Sequence, residues 1–579
     1  MSQPKTTPGR DVAVAGDCAT ENVAAAEAGT GRLPAAHLKP MQGWSLWLTL
    51  ACLGLGLLLS SLETTIIGTA LLSISSSLGG FDKSNWVVTS YLITYTAFLV
   101  VWARASDLVG RKTTLIPAQL IFTSFSLAGG LSQTMKQLIV FRAFQGLGGA
   151  GLYSLAMTVM AEVTPVQHIG VTFGMMSAIF ATSSILGTIL GGVIANSTTW
   201  RWVFYLNLPP GIICLVVVIF VFPVNTGPLP RTWRTLQGID FLGVATFLGG
   251  CIPLIFALES GGVHYSWNSA VVVANLVVGG VCFAAFALWQ WYVDRRPPNQ
   301  NLLPLFPVRI VSQRTAGLII SSAFFSGFPF MAMLIFLPQR LQVQNGLSPM
   351  QAGIDMLALL LLTATGSGIG GMVSARARVK GMAWYMMAGA IPLQIVGLGL
   401  LMTLPDGASA VPARQYGFQV LLGLGFGIAI SSQTIAVRLE VNHRDTSVVT
   451  SAITQVRVLG GLVGIAIGQS IISSRLSWQV GPVLGREKLG EILTSINRVK
   501  QLPAEEAALV RLSYGQANLT MYKAMLGFAV VALASCLAAW KPGFDSMLDA
   551  ESRHRELQHQ ESSDGNRSET TTEEKPGRP

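Results

Sequence analysis

The sequence contains little charge for its length. Of 579 residues, only 11% are Asp, Glu, Lys or Arg, whereas 51% are hydrophobic, and the mean hydropathy is +0.53. Soluble domains carry about 25% charged residues, so a chain of this composition could not cover itself with polar surface. The low charge therefore excludes an ordinary soluble protein and indicates one that lies largely within a lipid bilayer.

Cysteine and histidine are also scarce, with six residues of each type. The cysteines show no framework of paired spacings, and we interpret them as small packing residues. The histidines are scattered, so no metal site or catalytic cluster at a membrane face is expected, which argues against a membrane enzyme. No Walker sequence Gly-x-x-x-x-Gly-Lys-Ser/Thr occurs, so ATP is not needed. We predict no enzymatic activity, no cofactor and no metal.

Hydrophobic windows of about 20 residues, enough for a helix to cross a bilayer, recur along the chain. They predict an all-α polytopic membrane protein with fourteen transmembrane helices: 45–68, 86–105, 113–132, 138–161, 169–195, 203–223, 239–258, 270–292, 315–337, 353–373, 382–404, 417–437, 447–473 and 519–540. We assign two six-helix bundles and two extra central spans. The predicted units are a disordered tail (1–44), the first bundle (45–223), the extra spans (239–292), the second bundle (315–540) with an extracellular loop (474–518), and a second disordered tail (541–579).

Lys and Arg residues are distributed unevenly between the loops. If the N-terminus is cytoplasmic, most of them lie in cytoplasmic segments, and the outer loops before 474–518 hold single charges or none. This asymmetry is typical of membrane proteins, and it predicts that both termini are cytoplasmic. The net charge of +10 is therefore a topology signal, and we expect the bilayer rather than nucleic acid as the partner.

A charged stretch, ARASDLVGRK at 103–112, separates the second and third apolar runs. Because charges are costly in hydrocarbon, it predicts a tight loop on one membrane face. Asp107, Gly110, Arg111 and Lys112 resemble the loop signature of the major facilitator superfamily, in which the acid and the basic residues hold neighbouring helices together. The alternative is an ordinary positive-inside loop, which needs no Asp-x-x-Gly-Arg-Lys order. Gly381 stands at the equivalent place in the second half.

Arg142 lies in the fourth span, within LIVFRAFQGLGGAG. A guanidinium inside a span must face the bundle interior and have a partner. The string resembles the superfamily's fourth-span Arg followed by Gln-Gly, and the resemblance implies that Arg142 helps to couple proton movement to transport. The alternative is a structural Arg that binds backbone carbonyls.

Glu63 lies late in the first span, within SLETTIIGTAL. The string resembles the Leu-Asp-x-Thr-Ile signature of the fourteen-span drug:proton antiporters, with Glu in place of Asp. A carboxyl with apolar neighbours is a candidate proton carrier. Its position predicts some access to water from the outer end of the span. The alternative is a hydrogen bond to a neighbouring helix, through Thr64 or Thr65.

The fifth span carries Gly187, Gly191 and Gly192 at a spacing that leaves one helix face bare for close packing. The antiporter motif of the family is Gly-Pro-x-x-Gly-Gly, and Thr188 stands here in place of the proline. Thr188 can still bend the helix by bonding a preceding carbonyl. The alternative is general packing of small residues without a transport role.

Two later strings resemble the same antiporter branch. WRWVFYLNLPPG at 200–211 resembles Trp-Arg-Trp-x-Phe-x-x-Asn-x-Pro, for which we expect an architectural role at the membrane interface. ITQVRVLGGLVGIAIGQ resembles the thirteenth-span pattern and contains Arg457, a second buried cation. Asp355 in the tenth span is a candidate partner for this charge. Asn196 and Asn518 match glycosylation acceptors.

These motifs together resemble the fourteen-span drug:proton antiporters, and the wording of several is similar to fungal efflux pumps for toxins and secondary metabolites. The resemblance implies a secondary active transporter that exports a small, largely apolar organic compound in exchange for protons. We expect a monomer in the plasma membrane, with a vacuolar or vesicle membrane as the alternative. The alternative functions are uptake of siderophores, vacuolar transport of amino acids and, from another class, a membrane sensor that does not transport.

Overall fold

The structure is a computed structural model. It describes residues 43–79, 85–163, 179, 182–183, 186–187, 189–194, 197–222, 240–261, 265–295, 304–306, 308–376, 379–405, 410–441, 446–494 and 502–541. Over these residues the regular secondary structure is α-helical, with a single bridge between Gly261 and Tyr265.

Sixteen α-helices are present in this part of the chain. They are α1 (Trp44–Leu78), α2 (Asn85–Val109), α3 (Arg111–Leu131), α4 (Met135–Val163), α5 (Trp202–Tyr205), α6 (Leu208–Phe220), α7 (Phe241–Ser260), α8 (Ala270–Asp294), α9 (Val308–Val311), α10 (Arg314–Val343), α11 (Pro349–Asp355), α12 (Leu357–Arg376), α13 (Met382–Leu401), α14 (Arg414–Leu439), α15 (Thr446–Thr494) and α16 (Ala504–Ala538).

Twelve helical segments among the described residues are long and apolar enough to cross a membrane. Helix α4 is not among them, although it has 29 residues, and most of the predicted fifth span at 169–195 lies outside the described residues. The prediction of an all-α polytopic membrane protein is confirmed, and the count of fourteen spans stays a prediction. The two tails predicted to be disordered lie outside the described residues, apart from 43–44 and 541.

The apolar residues of the segment 474–518 recur at helical spacing, so the sequence predicts an amphipathic helix within this extracellular loop. The segment is helical over 474–494 and 504–518. Helix α15 continues to Thr494 through a break at Gly485, where φ is +78°, and α16 begins at Ala504. Val480 and Val510 are buried in the main hydrophobic cluster, so burial of their apolar side chains stabilises both extensions. The amphipathic pattern of the segment therefore belongs to the long helices and not to a separate one.

The first half packs around α4, which contacts α1, α2 and α3. In the second half, α14 packs against α12 and α13, while α10 packs against α15 and α16. The halves meet where α2 contacts α15 and where α1 contacts α10. Helix α7 touches both α2 and α15 at this seam, and α8 packs against α7. Only 11% of the apolar stretch of α8 is buried, which fits a helix that faces lipid.

A single residue, Gly110, separates α2 from α3. The prediction of a ten-residue loop over 103–112 is wrong, because α2 continues to Val109 and α3 begins at Arg111. Gly110 makes the turn with φ +103° and ψ 152°, a conformation open essentially to glycine alone. Gly381 has φ +76° directly before α13, so the two glycines make positive-φ turns at the equivalent places of the two halves.

We expect Gly110→Ala to lower the free energy of unfolding by about 1–3 kcal/mol, the cost of forcing an alanine into this region. Thermal unfolding of the purified protein measures the change. Gly280→Ala is the matched control, since an added Cβ there meets nothing within 4 Å and alanine favours the helix. Equal unfolding temperatures for the two variants would show that the turn imposes no strain on alanine.

Candidate functional site

Four buried polar side chains meet inside the first half, and we call them the Glu63 cluster: Glu63 on α1, Arg142 and Gln145 on α4, and Asn207 between α5 and α6. Arg142 forms an ion pair with Glu63. Gln145 Nε2 donates to Glu63 Oε1 at 3.0 Å, and Asn207 Nδ2 donates to the same oxygen. The carboxylate of Glu63 therefore receives hydrogen bonds from three side chains on two other parts of the bundle.

Helix α4 positions the guanidinium. Arg142 and Gln145 are three residues apart, so they share one helix face, and Arg142 Nη1 donates to Gln145 Oε1 at 2.9 Å. Arg142 Nε donates to the carbonyl of Val87 on α2 at 3.1 Å. The guanidinium carbon lies 4.3 Å from the centre of the Tyr91 ring, within the range of a cation–π interaction. Arg142 thus binds both a carboxylate and a backbone carbonyl, and its role in proton coupling stays a prediction.

Asn207 links this cluster to α3. Its Nδ2 donates to Ser126 Oγ at 2.9 Å, and Ser126 Oγ donates to the carbonyl of Phe204 at 2.9 Å. The sequence assigned the string 200–211 an architectural role and missed the contact of Asn207 with Glu63. The sequence did contain a signal for this contact. Asn207 lies two residues before Pro209 in an apolar stretch, where helix packing does not require a polar side chain.

The expectation that water reaches Glu63 is wrong. Its side chain is fully buried, because α1 continues to Leu78 and Glu63 therefore lies well inside the helix. The hydroxyls of Thr64 and Thr65 donate to carbonyls of their own helix, at Ser61 and Leu62. The neighbouring helices instead supply the hydrogen bonds of Glu63 through Arg142, Gln145 and Asn207.

Glycines bring the helices close enough for these contacts. A Cβ added at Gly146 would lie 2.3 Å from the carbonyl oxygen of Tyr91. One added at Gly187 would lie 2.1 Å from Thr65 Oγ1, so the glycine face predicted for the fifth span packs against α1 beside Glu63. Gly191 and Gly192 are buried, and Thr188 lies outside the described residues.

The basic residues of the predicted loop signature join three helices at one end of the first half. Lys112 Nζ donates to the carbonyls of Ile219 at 2.8 Å and Phe222 at 2.9 Å, at the end of α6. A cation is favourable at this helix end. Arg111 is buried and donates to Ser106 Oγ. Asp107 lies in α2, and its side chain is outside the described part.

Arg457 does not pair with Asp355, the candidate partner that the sequence offered. Arg457 is buried, and its Nη2 donates to the carbonyl of Ile430 at 3.3 Å and to Gln433 Oε1 at 3.4 Å. Asp355 is only half-buried and accepts a hydrogen bond from the Tyr416 hydroxyl at 2.9 Å. Among the described residues, the hydrogen-bond acceptors of Arg457 are therefore neutral oxygens.

The two candidate glycosylation residues differ in what the structure describes. Asn518 is fully buried in α16, and its Nδ2 donates to the carbonyl of Tyr514 at 2.8 Å. A glycan cannot be accommodated on this side chain in the folded protein, so we do not retain Asn518 as a candidate. Asn196 lies outside the described residues.

Comparisons with known proteins agree with this architecture. Residues 53–238 match the Major Facilitator Superfamily. The chain is 39% identical to the MFS-type transporter FPY5 of Fusarium mangiferae, over 85% of this chain and 83% of that protein. It is 29% identical to the efflux pump dotC of Dothistroma septosporum, over 85% of this chain and 84% of that protein. An inward-facing, unoccupied bacterial homolog of the human lysosomal transporter Spinster shares the fold, with a TM-score of 0.56, 16% identity and coverage of 87% and 100%.

Proposed function

Because the chain belongs to the Major Facilitator Superfamily and is therefore a membrane transporter and not an enzyme, we propose that it exports a small, largely apolar organic compound in exchange for protons. We propose that the compound is a toxin, a secondary metabolite or a drug, and the name of the relative dotC, an efflux pump, supports export as the direction. We further propose a monomer in the plasma membrane with both termini in the cytoplasm.

The observation that carries the proposal is the burial of an ionisable pair inside the first half. Glu63 and Arg142 form an ion pair in which both side chains are almost completely buried. Structural pairs also occur in membrane bundles, but an acid inside a span is a candidate proton site by its position alone. Glu63 is the member of the pair that can gain and lose a proton, since the Arg guanidinium stays charged.

Protonation of Glu63 would change which arrangement of the bundle is stable. A neutral carboxylic acid no longer balances Arg142, and an unpaired buried charge costs several kcal/mol. The protonated protein therefore favours a conformation in which Arg142 finds another partner or reaches water. An equilibrium that shifts in this way when a proton binds is what coupling requires.

The driving force is sufficient for export. One proton that enters across about 100 mV releases about 2.3 kcal/mol. A difference of one pH unit adds about 1.4 kcal/mol. Together these would support an outward gradient of roughly 500-fold for a neutral solute exchanged for one proton.

The test is transport into inside-out membrane vesicles whose lumen is made more acidic than the bath. A panel of radiolabelled aromatic compounds, some neutral and some with one acidic group, is offered, with vesicles that lack the protein as the control. We expect at least one compound to accumulate, and to leave again when an ionophore collapses the pH gradient. Accumulation that persists without the gradient, or that is absent for the whole panel, would contradict proton-driven export.

A further inference from the structure

Another buried arginine, Arg340, lies near the end of α10, far along the chain from the Glu63 cluster. Arg340 is 5% exposed, and its Nε donates at 2.9 Å to Oε1 of Gln344, the residue that directly follows α10. Its Nη1 is buried and has no hydrogen-bond partner. Over the residues that the structure describes, Arg340 forms no ion pair with a carboxylate. Burial of a cation without a counter-charge costs free energy, so an anion from outside the chain would stabilise the guanidinium of Arg340.

The side chains opposite Arg340 are polar and incompletely bonded. The guanidinium carbon lies 5.7 Å from the centre of the Tyr522 ring on α16. The Tyr522 hydroxyl is buried without a partner, and so is Asn518 Oδ1, one helical turn earlier on the same face. Most buried polar atoms in proteins are hydrogen-bonded, so these three atoms on two facing helices are available to bond the polar groups of a ligand.

These atoms differ in what they can bind. Arg340 Nη1 and the Tyr522 hydroxyl are donors, and an oxyanion accepts from both. Asn518 Oδ1 is an acceptor and fits a hydroxyl or an amide N–H carried by the same molecule. Tyr514, one turn before Asn518, donates from its hydroxyl to Gln339 Oε1 at 3.4 Å and so joins the same two helices, α16 and α10.

We propose that Arg340 and Tyr522 form a binding site for the anionic group of an organic compound, such as a carboxylate or an enolate, between α10 and α16. This assignment rests on the proposed export function. It narrows the class of exported substrate to apolar compounds that carry one acidic group. The Tyr522 ring and the neighbouring apolar side chains would contact the hydrophobic body of such a compound. Because the site is closed in this structure, the compound enters when α10 and α16 separate.

A matched pair of fluorescent probes tests the site: 1-pyrenebutyrate, which is anionic, and 1-pyrenebutanol, which is neutral and otherwise similar. Binding to the purified full-length protein in detergent is measured by fluorescence titration. We expect the wild type to bind the anion at least about tenfold more tightly, as for a charge-assisted hydrogen bond. Arg340→Gln should remove this preference, and Arg340→Lys should retain part of it because the positive charge remains.

Arg414→Gln is the control, since Arg414 is an exposed cation that bonds the carbonyl of Thr403 at 3.4 Å. It should keep the preference for the anion. Thermal unfolding of each variant checks that the protein is folded. If the wild type binds the two probes equally or binds neither, or if Arg340→Gln keeps the preference, the site is refuted. Failure of vesicle transport together with anion-selective binding would instead refute the export proposal and leave the site standing.

Discussion

Arg142→Ala is expected to abolish pH-driven efflux and to lower the free energy of unfolding by about 3–5 kcal/mol. The substitution leaves the buried carboxylate of Glu63 without its counter-charge. Removing one partner of a buried ion pair lowers stability more than replacing both partners. Arg142→Lys should also fail in transport, because an ammonium cannot donate at once to Glu63, Gln145 and Val87 in the forked geometry of a guanidinium. Thermal unfolding and vesicle efflux, each normalised to folded protein, measure the two effects.

A double variant separates folding from coupling. Glu63→Gln combined with Arg142→Gln removes both charges, so it should regain much of the stability that Arg142→Ala loses. It should still not pump, since no ionisable group remains in the cluster. A double variant that pumps against a gradient, or an Arg142→Ala protein that does so, would show that Arg142 is only structural.

Gly146→Ala should destabilise the protein strongly, because the added methyl group would meet the backbone of the neighbouring helix α2. The new Cβ would lie 2.3 Å from the Tyr91 carbonyl oxygen and 2.4 Å from Thr94 Oγ1, so α2 and α4 must move apart. We expect a loss of about 1–3 kcal/mol in the free energy of unfolding, as in other overpacked cores. Efflux should fall as well, because Tyr91 and Val87 on α2 support the guanidinium of Arg142.

Gly56→Ala provides the control on a neighbouring helix. The nearest atom to its added Cβ is Leu152 Cδ2 at 3.9 Å, an ordinary van der Waals contact, and alanine is the better helix former. This variant should match or exceed the wild type in stability. If Gly146→Ala behaved like Gly56→Ala, the close approach of α2 and α4 would not be a requirement for the site.

The sequence predicted the fold class well because its main signal, the long apolar run, follows from the energetics of the bilayer and repeats along the chain. Long apolar runs predict helices, and charged stretches mark where they turn, as Gly110 and Arg111 illustrate. The boundaries were less accurate. Helix α2 continues through charged residues to Val109, and α15 and α16 extend beyond their apolar windows. Hydropathy measures the membrane-crossing part of a helix and gives no signal for a polar continuation that packs on the protein.

The candidate site was predicted in part. Glu63 and Arg142 were found because a charge within an apolar run stands out in a sequence. The sequence did not predict that Glu63 and Arg142 pair directly, or that Gln145 and Asn207 bond Glu63. These contacts depend on how α1, α4 and the turn between α5 and α6 are oriented toward one another. The same gap explains the wrong partner for Arg457, whose buried neighbours are a carbonyl and a glutamine that no charge pattern identifies.

The most direct test measures two transport activities of Glu63→Gln, substrate exchange and gradient-driven accumulation, and compares them with those of the wild type. The variant mimics a permanently protonated carboxyl and retains an acceptor and a donor for Gln145 and Asn207. It should still exchange labelled for unlabelled substrate across vesicles without a pH gradient, yet fail to accumulate substrate when a gradient is imposed. Because Glu63 is fully buried, this failure should be complete. Gradient-driven accumulation by Glu63→Gln at the wild-type level would contradict a proton site at Glu63.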